Sequence, residues 1–230
     1  HDWSDHAMAR KTYLASKSLW KMLHSALRQP CGRFIRQIRK VQDNNQYSGL
    51  AEEADLLEDS LDRYGDNALR LYEVTSKAVR RVGFKVHEGV LPENDNLIHD
   101  VTGDLQNTAD DIYNFDEDVK QTVDARINLR FAKLNDAEKS KIGILTEHVA
   151  QRSEVRLAQE LTEDVQALER EDEPTEDTAP NRYRLGSRLV KVIAYGGTAT
   201  VGAVAALSQA EEAVAGATYL WQIVRPLLGL

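Results

Sequence analysis

The sequence is poor in the residues that mark most chemistries. It has one cysteine, Cys31. A single cysteine excludes an intramolecular disulfide, and no histidine sits beside it in sequence to activate it. It reads as a small buried or idle thiol, in a compartment that is reducing or tolerates one thiol. The histidines, at 1, 6, 24, 87, 99 and 148, include no pair at the i, i+4 spacing of a helical zinc site. Gly196-Gly197 has no Lys-Ser/Thr after it, so it is not a phosphate loop, and no Gly-x-Ser-x-Gly elbow occurs. Asp110-Asp111 and Asp116-Glu117-Asp118 lack the glycine and oxygen spacing of a calcium loop. No catalytic residue, cofactor, metal or small-molecule substrate is expected.

Proline is scarce too. Its five occurrences, at 30, 92, 174, 180 and 226, leave long stretches free for helix. Period-two alternation of useful length is absent, which excludes a sheet of any size. The first residue is His1 rather than Met, so a leader has been removed or the chain is a fragment. Lys11, Lys17 and Lys21 interrupt every early apolar run, which excludes a signal peptide within residues 1–30.

What is present is charge, unevenly placed. The overall net charge is −8. Residues 1–45 hold 9 Lys/Arg against 3 Asp/Glu, residues 46–180 hold 15 against 32, and residues 181–230 hold 5 against 2. The acidic middle opposes a phosphate backbone, so nucleic acid is not an expected partner, while either basic end could approach an anionic surface.

Residues 7–29 read as a helix ended by Pro30-Cys31-Gly32. A second basic piece follows, with Phe34, Ile38 and Val41 on one face and Arg33, Arg36, Arg39 and Lys40 around it. This piece either docks on anionic lipid or an acidic partner, or is a surface helix paired with the chain's own acidic middle; the second is the simpler reading.

The strongest pattern lies over 46–86. Leu50, Ala54, Leu57, Leu61, Tyr64, Ala68, Leu71, Thr75, Ala78 and Val82 alternate spacings of four and three, a heptad seam that faces a neighbouring helix. Gly65 allows a kink, and 91–94 reads as a turn. A second seam follows: Ile98, Val101, Leu105, Thr108, Ile112, Phe115, Val119 and Thr122, then Val123, Ile127, Phe131 and Leu134 after a slip. Asn135 to Glu138 fits a capping box, or the interior of one continuous helix. A third apolar set comprises Ile142, Leu145 and Val149, then Leu157, Leu161, Val165 and Leu168. A helix of about 40 residues is about 60 Å long, so the body is expected to be elongated. The helix-pairing set is Leu50, Leu57, Leu61, Leu71, Ile98, Val101, Leu105, Ile112, Phe115 and Val119, which meets its own chain or protein subunits.

Residues 169–180 are acidic, with two prolines, and read as a solvated linker. Arg182, Arg184, Arg188 and Lys191 then flank a run of 19 residues without a charge, Val192 to Ala210. As a helix this run would be about 28 Å long, near the roughly 30 Å of a bilayer core, with the cations resembling a positive-inside flank. Its membrane-facing candidates are Val192, Ile193, Gly197, Val201, Gly202, Val204, Ala206 and Leu207. Tyr219 and Trp221 on a second uncharged run are placed for an interface. Few of these residues are strong aliphatics, so a lone span would be marginal.

The expected fold is therefore all-α: an elongated helical bundle or antiparallel coiled coil followed by a C-terminal small-residue hydrophobic helical hairpin. The expected division is basic amphipathic helices at 1–45, the heptad-patterned body at 46–168, an acidic linker and basic flank at 169–187, and the hairpin at 188–230. The expected role is a non-enzymatic structural or scaffolding protein, attached to a membrane or membrane complex through residues 188–225, with the basic patch on acidic lipid or a subunit. The alternatives are a membrane-inserting, pore-forming-like helical protein and a soluble helix-bundle adaptor.

Overall fold

A computed structural model of the chain describes residue 29 and residues 31–41, 43–64, 67–92, 95–151, 153–169, 178–195 and 222–229. The protein is all-helical, and no strand occurs among the described residues. Helix α1 covers residues 31–41. A 3-10 turn, Asn45–Leu50, leads into α2 (Ala51–Tyr64), α3 (Ala68–His87), α4 (Asn96–Phe115), α5 (Glu117–Phe131), α6 (Asp136–Ala150), α7 (Val155–Glu169) and α8 (Thr178–Tyr195). A second 3-10 turn, Arg225–Leu228, closes the described chain. The helix expected at 7–29, except for residue 29 itself, lies outside the described residues.

Both long helices expected from the heptads are broken, and capping side chains account for the breaks. Asn67 is extended, with φ −116° and ψ 102°, and its side chain accepts the Arg70 N–H, so α3 starts afresh. Asp116 ends α4 by donating its own N–H to Ile112, and its carboxylate accepts the Val119 N–H to start α5. Each cap is worth about 1 kcal/mol, because Asn and Asp bond nearby N–H groups more readily than they sit inside a helix. Among the described residues the longest helices have 20 residues, about 30 Å rather than 60 Å. The capping box at Asn135 and Glu138 is present in both directions.

Most seam residues are core. Leu50, Leu57, Leu61, Leu71, Ile98, Val101, Leu105, Ile112 and Val119 are all buried. Phe115 is not: it is 65% exposed. At about 100° per residue a straight helix drifts away from a heptad. After Ile98, Leu105 and Ile112 the next core position is therefore 116, where Asp116 ends the helix, and Phe115 lies off to the side. Tyr64, the last residue of α2, is likewise 43% exposed. The buried threonines cost little, because the hydroxyls of Thr75, Thr102 and Thr108 bond carbonyls one turn back, at Leu71, Ile98 and Asp104.

Helix α3 packs along α4. Tyr72, near the start of α3, and Tyr113, near the end of α4, both lie against the ring of Tyr183, so the pair runs antiparallel. Helix α8 is the centre: it touches α3, α4, α5, α6, α7 and the terminal turn. Ala179, Tyr183, Leu185, Leu189 and Val190 are buried along it. Residues 178–187, expected as linker and basic flank, are thus helical core, and the expected boundary at 188 falls inside one helix. A buried Leu is worth about 2 kcal/mol, so the apolar stripe through Leu185 and Leu189 outweighs the arginines between them once those find partners.

The terminal turn returns to this core. Ile223, Val224, Leu227 and Leu228 are buried, and Tyr72 donates its hydroxyl to the Leu228 carbonyl at 3.0 Å. A Cβ at Gly186 would stand 2.8 Å from the Leu227 Cβ, so glycine there lets the turn lie on α8. Val192 and Ile193 belong to the last turns of α8, with Val192 half-buried. Gly197, Val201, Gly202, Val204, Ala206, Leu207, Tyr219 and Trp221 lie outside the described residues. Among the described residues no helix is long and apolar enough to cross a membrane.

Candidate functional site

The cations singled out in the sequence divide by helix. On α1, Phe34, Ile35 and Ile38 are buried. Arg33 reaches Asp104 on α4 at 3.1 Å, and Arg39 reaches Asp55 at 2.5 Å and Glu58 at 2.9 Å on α2. Arg36 and Lys40 are exposed. Exposed pairs of this kind add little to stability.

On α8 the four cations reach partners on neighbouring helices. Arg182 lies over the Phe131 ring, 3.8 Å from its centroid, and donates to Asn128 at 3.0 Å. Arg184 and Arg188 both grip Asp164 of α7, a side chain only 3% exposed, and Arg188 also meets Glu160 at 3.1 Å. Lys191 donates to Asp110 of α4 at 2.9 Å. Spacing along α8 sets this out: positions 184, 188 and 191 line up about one turn apart, on the side that α4 and α7 approach.

Asp110, noted in the sequence only for lacking calcium-loop spacing, is the hub of a polar network. It accepts from Tyr183 at 3.1 Å, from Ser187 at 2.8 and 2.9 Å, from Gln106 at 2.9 Å and from Lys191. Beside it, Tyr113 donates to Asp124 at 2.6 Å. Burial raises the Tyr72, Tyr113 and Tyr183 phenols above the ordinary tyrosine range, so they stay protonated as donors. With its oxygens already taken by four donors, Asp110 fastens α8 to α4. Cys31 is buried, and burial pushes its thiol up to about 12, an inert state. Among the described residues no group of three His, Cys, Asp or Glu side chains could hold a metal ion.

A different feature stands out as a binding surface. Glu73, Lys77 and Arg80 on α3, Arg126 and Arg130 on α5, and Gly229 line one open cleft of about 460 Å3. Positions 73, 77 and 80 fall on one face of α3, and 126 and 130 fall one turn apart on α5. Gly229 brings the chain close under them. Its φ is +63°, and a Cβ there would meet the Val123 carbonyl at 2.9 Å and Arg126 Cβ at 3.1 Å. Glu73, the one carboxylate among the described lining residues, is already bound by Arg70 and Arg126, each at 2.8 Å. Burial lowers the Arg80 and Arg130 guanidiniums below their ordinary value, and nearby Arg225 lowers both further. Among the described residues Lys77, Arg80 and Arg130 have no carboxylate partner. Elsewhere on α3 the same residue types are neutralised: Lys85 and Arg81 hold the buried Glu53 at 2.8 and 3.5 Å.

This cleft escaped sequence reading because its cations lie within residues 46–180, where acids outnumber them about two to one. The cation stripe 77, 80 on a helix face was the available signal, but α5 supplies the other half about 50 residues away. Comparison of the chain with protein-family models, with curated proteins and with solved structures gives no match.

Proposed function

We propose that the chain is a non-enzymatic helical scaffold that attaches to a membrane or a membrane complex through the hydrophobic segment after α8. The observation that carries this reading is the setting of that segment. The run without charges begins in the last turns of α8, and the chain is back in the core at Ile223. Residues 196–221, 26 in number, therefore join two points of one body. A segment that enters a bilayer from such a frame must return to the side it left. Two helical arms of about 13 residues are each about 20 Å long, less than the roughly 30 Å hydrocarbon core. Attachment is then re-entrant within one leaflet or against a membrane subunit. In the body, the helix faces at Leu129, Ile144 and Val155, exposed at 61, 42 and 76%, serve contacts with protein partners.

A second reading is supported by the internal use of Arg182, Arg184, Arg188 and Lys191. Cations spent on Asn128, Asp164 and Asp110 no longer flank a bilayer, which favours a soluble helical adaptor whose apolar segment packs on protein.

Liposome flotation separates the two. The informative variant replaces residues 196–221 with a Gly-Ser linker and keeps 222–228, because a truncation before α8 would remove the core. Flotation of the full chain through a carbonate wash, with the variant left below, is the expected result. If neither floats, the membrane reading fails. Dye release by the full chain would instead favour the pore-forming alternative.

A further inference from the structure

The cleft between α3 and α5 has a charge its surroundings do not explain. Among the described residues its lining carries four cations and one carboxylate, a net of +3, on a protein whose net charge is −8. Glu73 is shared between Arg70 and Arg126, so it cannot neutralise the other three. Holding like charges together in a half-buried place costs stability, and a protein with acids to spare nearby retains such a cluster most simply where an anion is received.

We propose that this cleft binds a small anion with two or more phosphoryl groups, Arg80 and Arg130 gripping one group from facing helices and Lys77 neutralising another. Charge and size both point to that class. One phosphate carries about −1.5 to −2 at neutral pH, short of the net +3 of the lining. A cleft of about 460 Å3 is in the range of small-ligand sites and has room for a ring bearing several phosphates. Arginine presents a planar fork that matches phosphate oxygens, and lysine adds a mobile point charge. Among the described residues the lining has no aromatic ring to stack a base, so the recognised part is the phosphorylated ring or chain rather than a nucleoside. An extended nucleic acid is disfavoured, since it would meet the acidic remainder of residues 46–180 beyond the cleft. The C-terminal turn belongs to the site, because Gly229 forms its floor and Arg225 adds to its field. The same headgroup chemistry is offered by a free inositol polyphosphate and by a phosphoinositide in a membrane.

The experiment is calorimetric titration of the full chain with inositol trisphosphate and with inorganic phosphate, and flotation on phosphatidylcholine vesicles with and without phosphatidylinositol bisphosphate. Inositol trisphosphate is expected to bind, inorganic phosphate more weakly. Arg80→Gln and Arg130→Gln should each lose about tenfold or more in affinity, whereas Arg63→Gln, paired with Asp59 on α2, should bind as the parent does. Vesicles that compete with the soluble headgroup make a lipid the source; vesicles that do not compete make it the free anion. Either outcome keeps the site. Removing a charge from a like-charge cluster should leave the ligand-free variants melting no lower than the parent. The assignment is overturned if inositol trisphosphate does not bind, if Arg80→Gln and Arg130→Gln bind it unchanged, or if those variants melt well below the parent and the guanidiniums are therefore structural. The titrations with soluble inositol trisphosphate do not depend on residues 196–221, so vesicle binding lost with that segment and vesicle binding lost with Arg80 and Arg130 can be told apart.

Discussion

Tyr183 of α8 stacks on Tyr113 of α4 with ring centroids 3.6 Å apart and planes 17° from parallel. The same ring lies 6.3 Å from Tyr72 of α3, and its hydroxyl bonds Asp110. One side chain therefore ties three helices together. Tyr183→Ala should cost about 3–5 kcal/mol, the range for emptying an aromatic core site. Tyr183→Phe keeps the stack and should cost about 1 kcal/mol. Urea denaturation checks both, and equal losses would mean that the hydroxyl, rather than the ring, holds α8.

Asp164 is the buried anion between Arg184 and Arg188. Removing it leaves Arg188, 22% exposed, with Glu160 as its remaining partner on α7. Asp164→Ala should lose about 2–3 kcal/mol, less than a fully buried pair because Arg184 can turn to water. Asp164→Leu combined with Arg188→Met should recover most of that loss. A double-mutant cycle in denaturant measures the coupling, and strict additivity would show that the two residues do not act as a unit.

Two glycines should respond to alanine in opposite directions. At Gly229 the positive φ and the Val123 carbonyl leave no place for a Cβ, so Gly229→Ala should destabilise by about 1–2 kcal/mol. Gly143 lies inside α6, where an added Cβ meets nothing within 4 Å. Gly143→Ala should stabilise by about 0.5–1 kcal/mol through helix propensity. Thermal melts of the two variants, side by side, test the contrast.

Asp111 makes stability depend on pH. Burial raises its carboxyl above the usual aspartate value, the neighbouring Asp110 charge raises it further, and Lys191 partly offsets this. A carboxyl raised in the folded state holds its proton more tightly there than when unfolded. Its contribution is present below the unfolded value, about 3.9, and is lost as pH rises through the folded value. The ionised Asp111 is thus a liability at neutral pH. Asp111→Asn should melt higher than the parent at pH 7, with the gain shrinking as pH falls toward about 4. A gain that stays constant over this range would assign the effect to something other than the charge.

Much of the architecture could be read directly from residue order. The four-three spacing of Leu50 to Val82 and Ile98 to Val119 marked helices and most of their buried side chains. Asn135 and Glu138 marked a helix start, and the solitary Cys31 lacked a partner. These are local properties: periodicity and capping act within one or two turns, so neighbours in sequence suffice to reveal them. Asn67 and Asp116 were equally local, but a heptad template overrode them, and Phe115 was misplaced because a straight helix does not keep a heptad period over the roughly five turns of α4.

Tertiary structure alone decided the place of α8 and the fate of its charges. From sequence, Arg182, Arg184, Arg188 and Lys191 were a basic flank between a linker and an apolar run. In the fold they meet Asn128, Asp164 and Asp110, between 20 and 81 residues away, and Thr178–Tyr195 becomes the centre of the core. The reverse holds for Lys77, Arg80 and Arg130, which sit among acids in sequence yet pair with none among the described residues in space. Charge is additive along a chain, but neutralisation depends on which side chains folding brings within a few ångströms, and sequence order does not contain that distance.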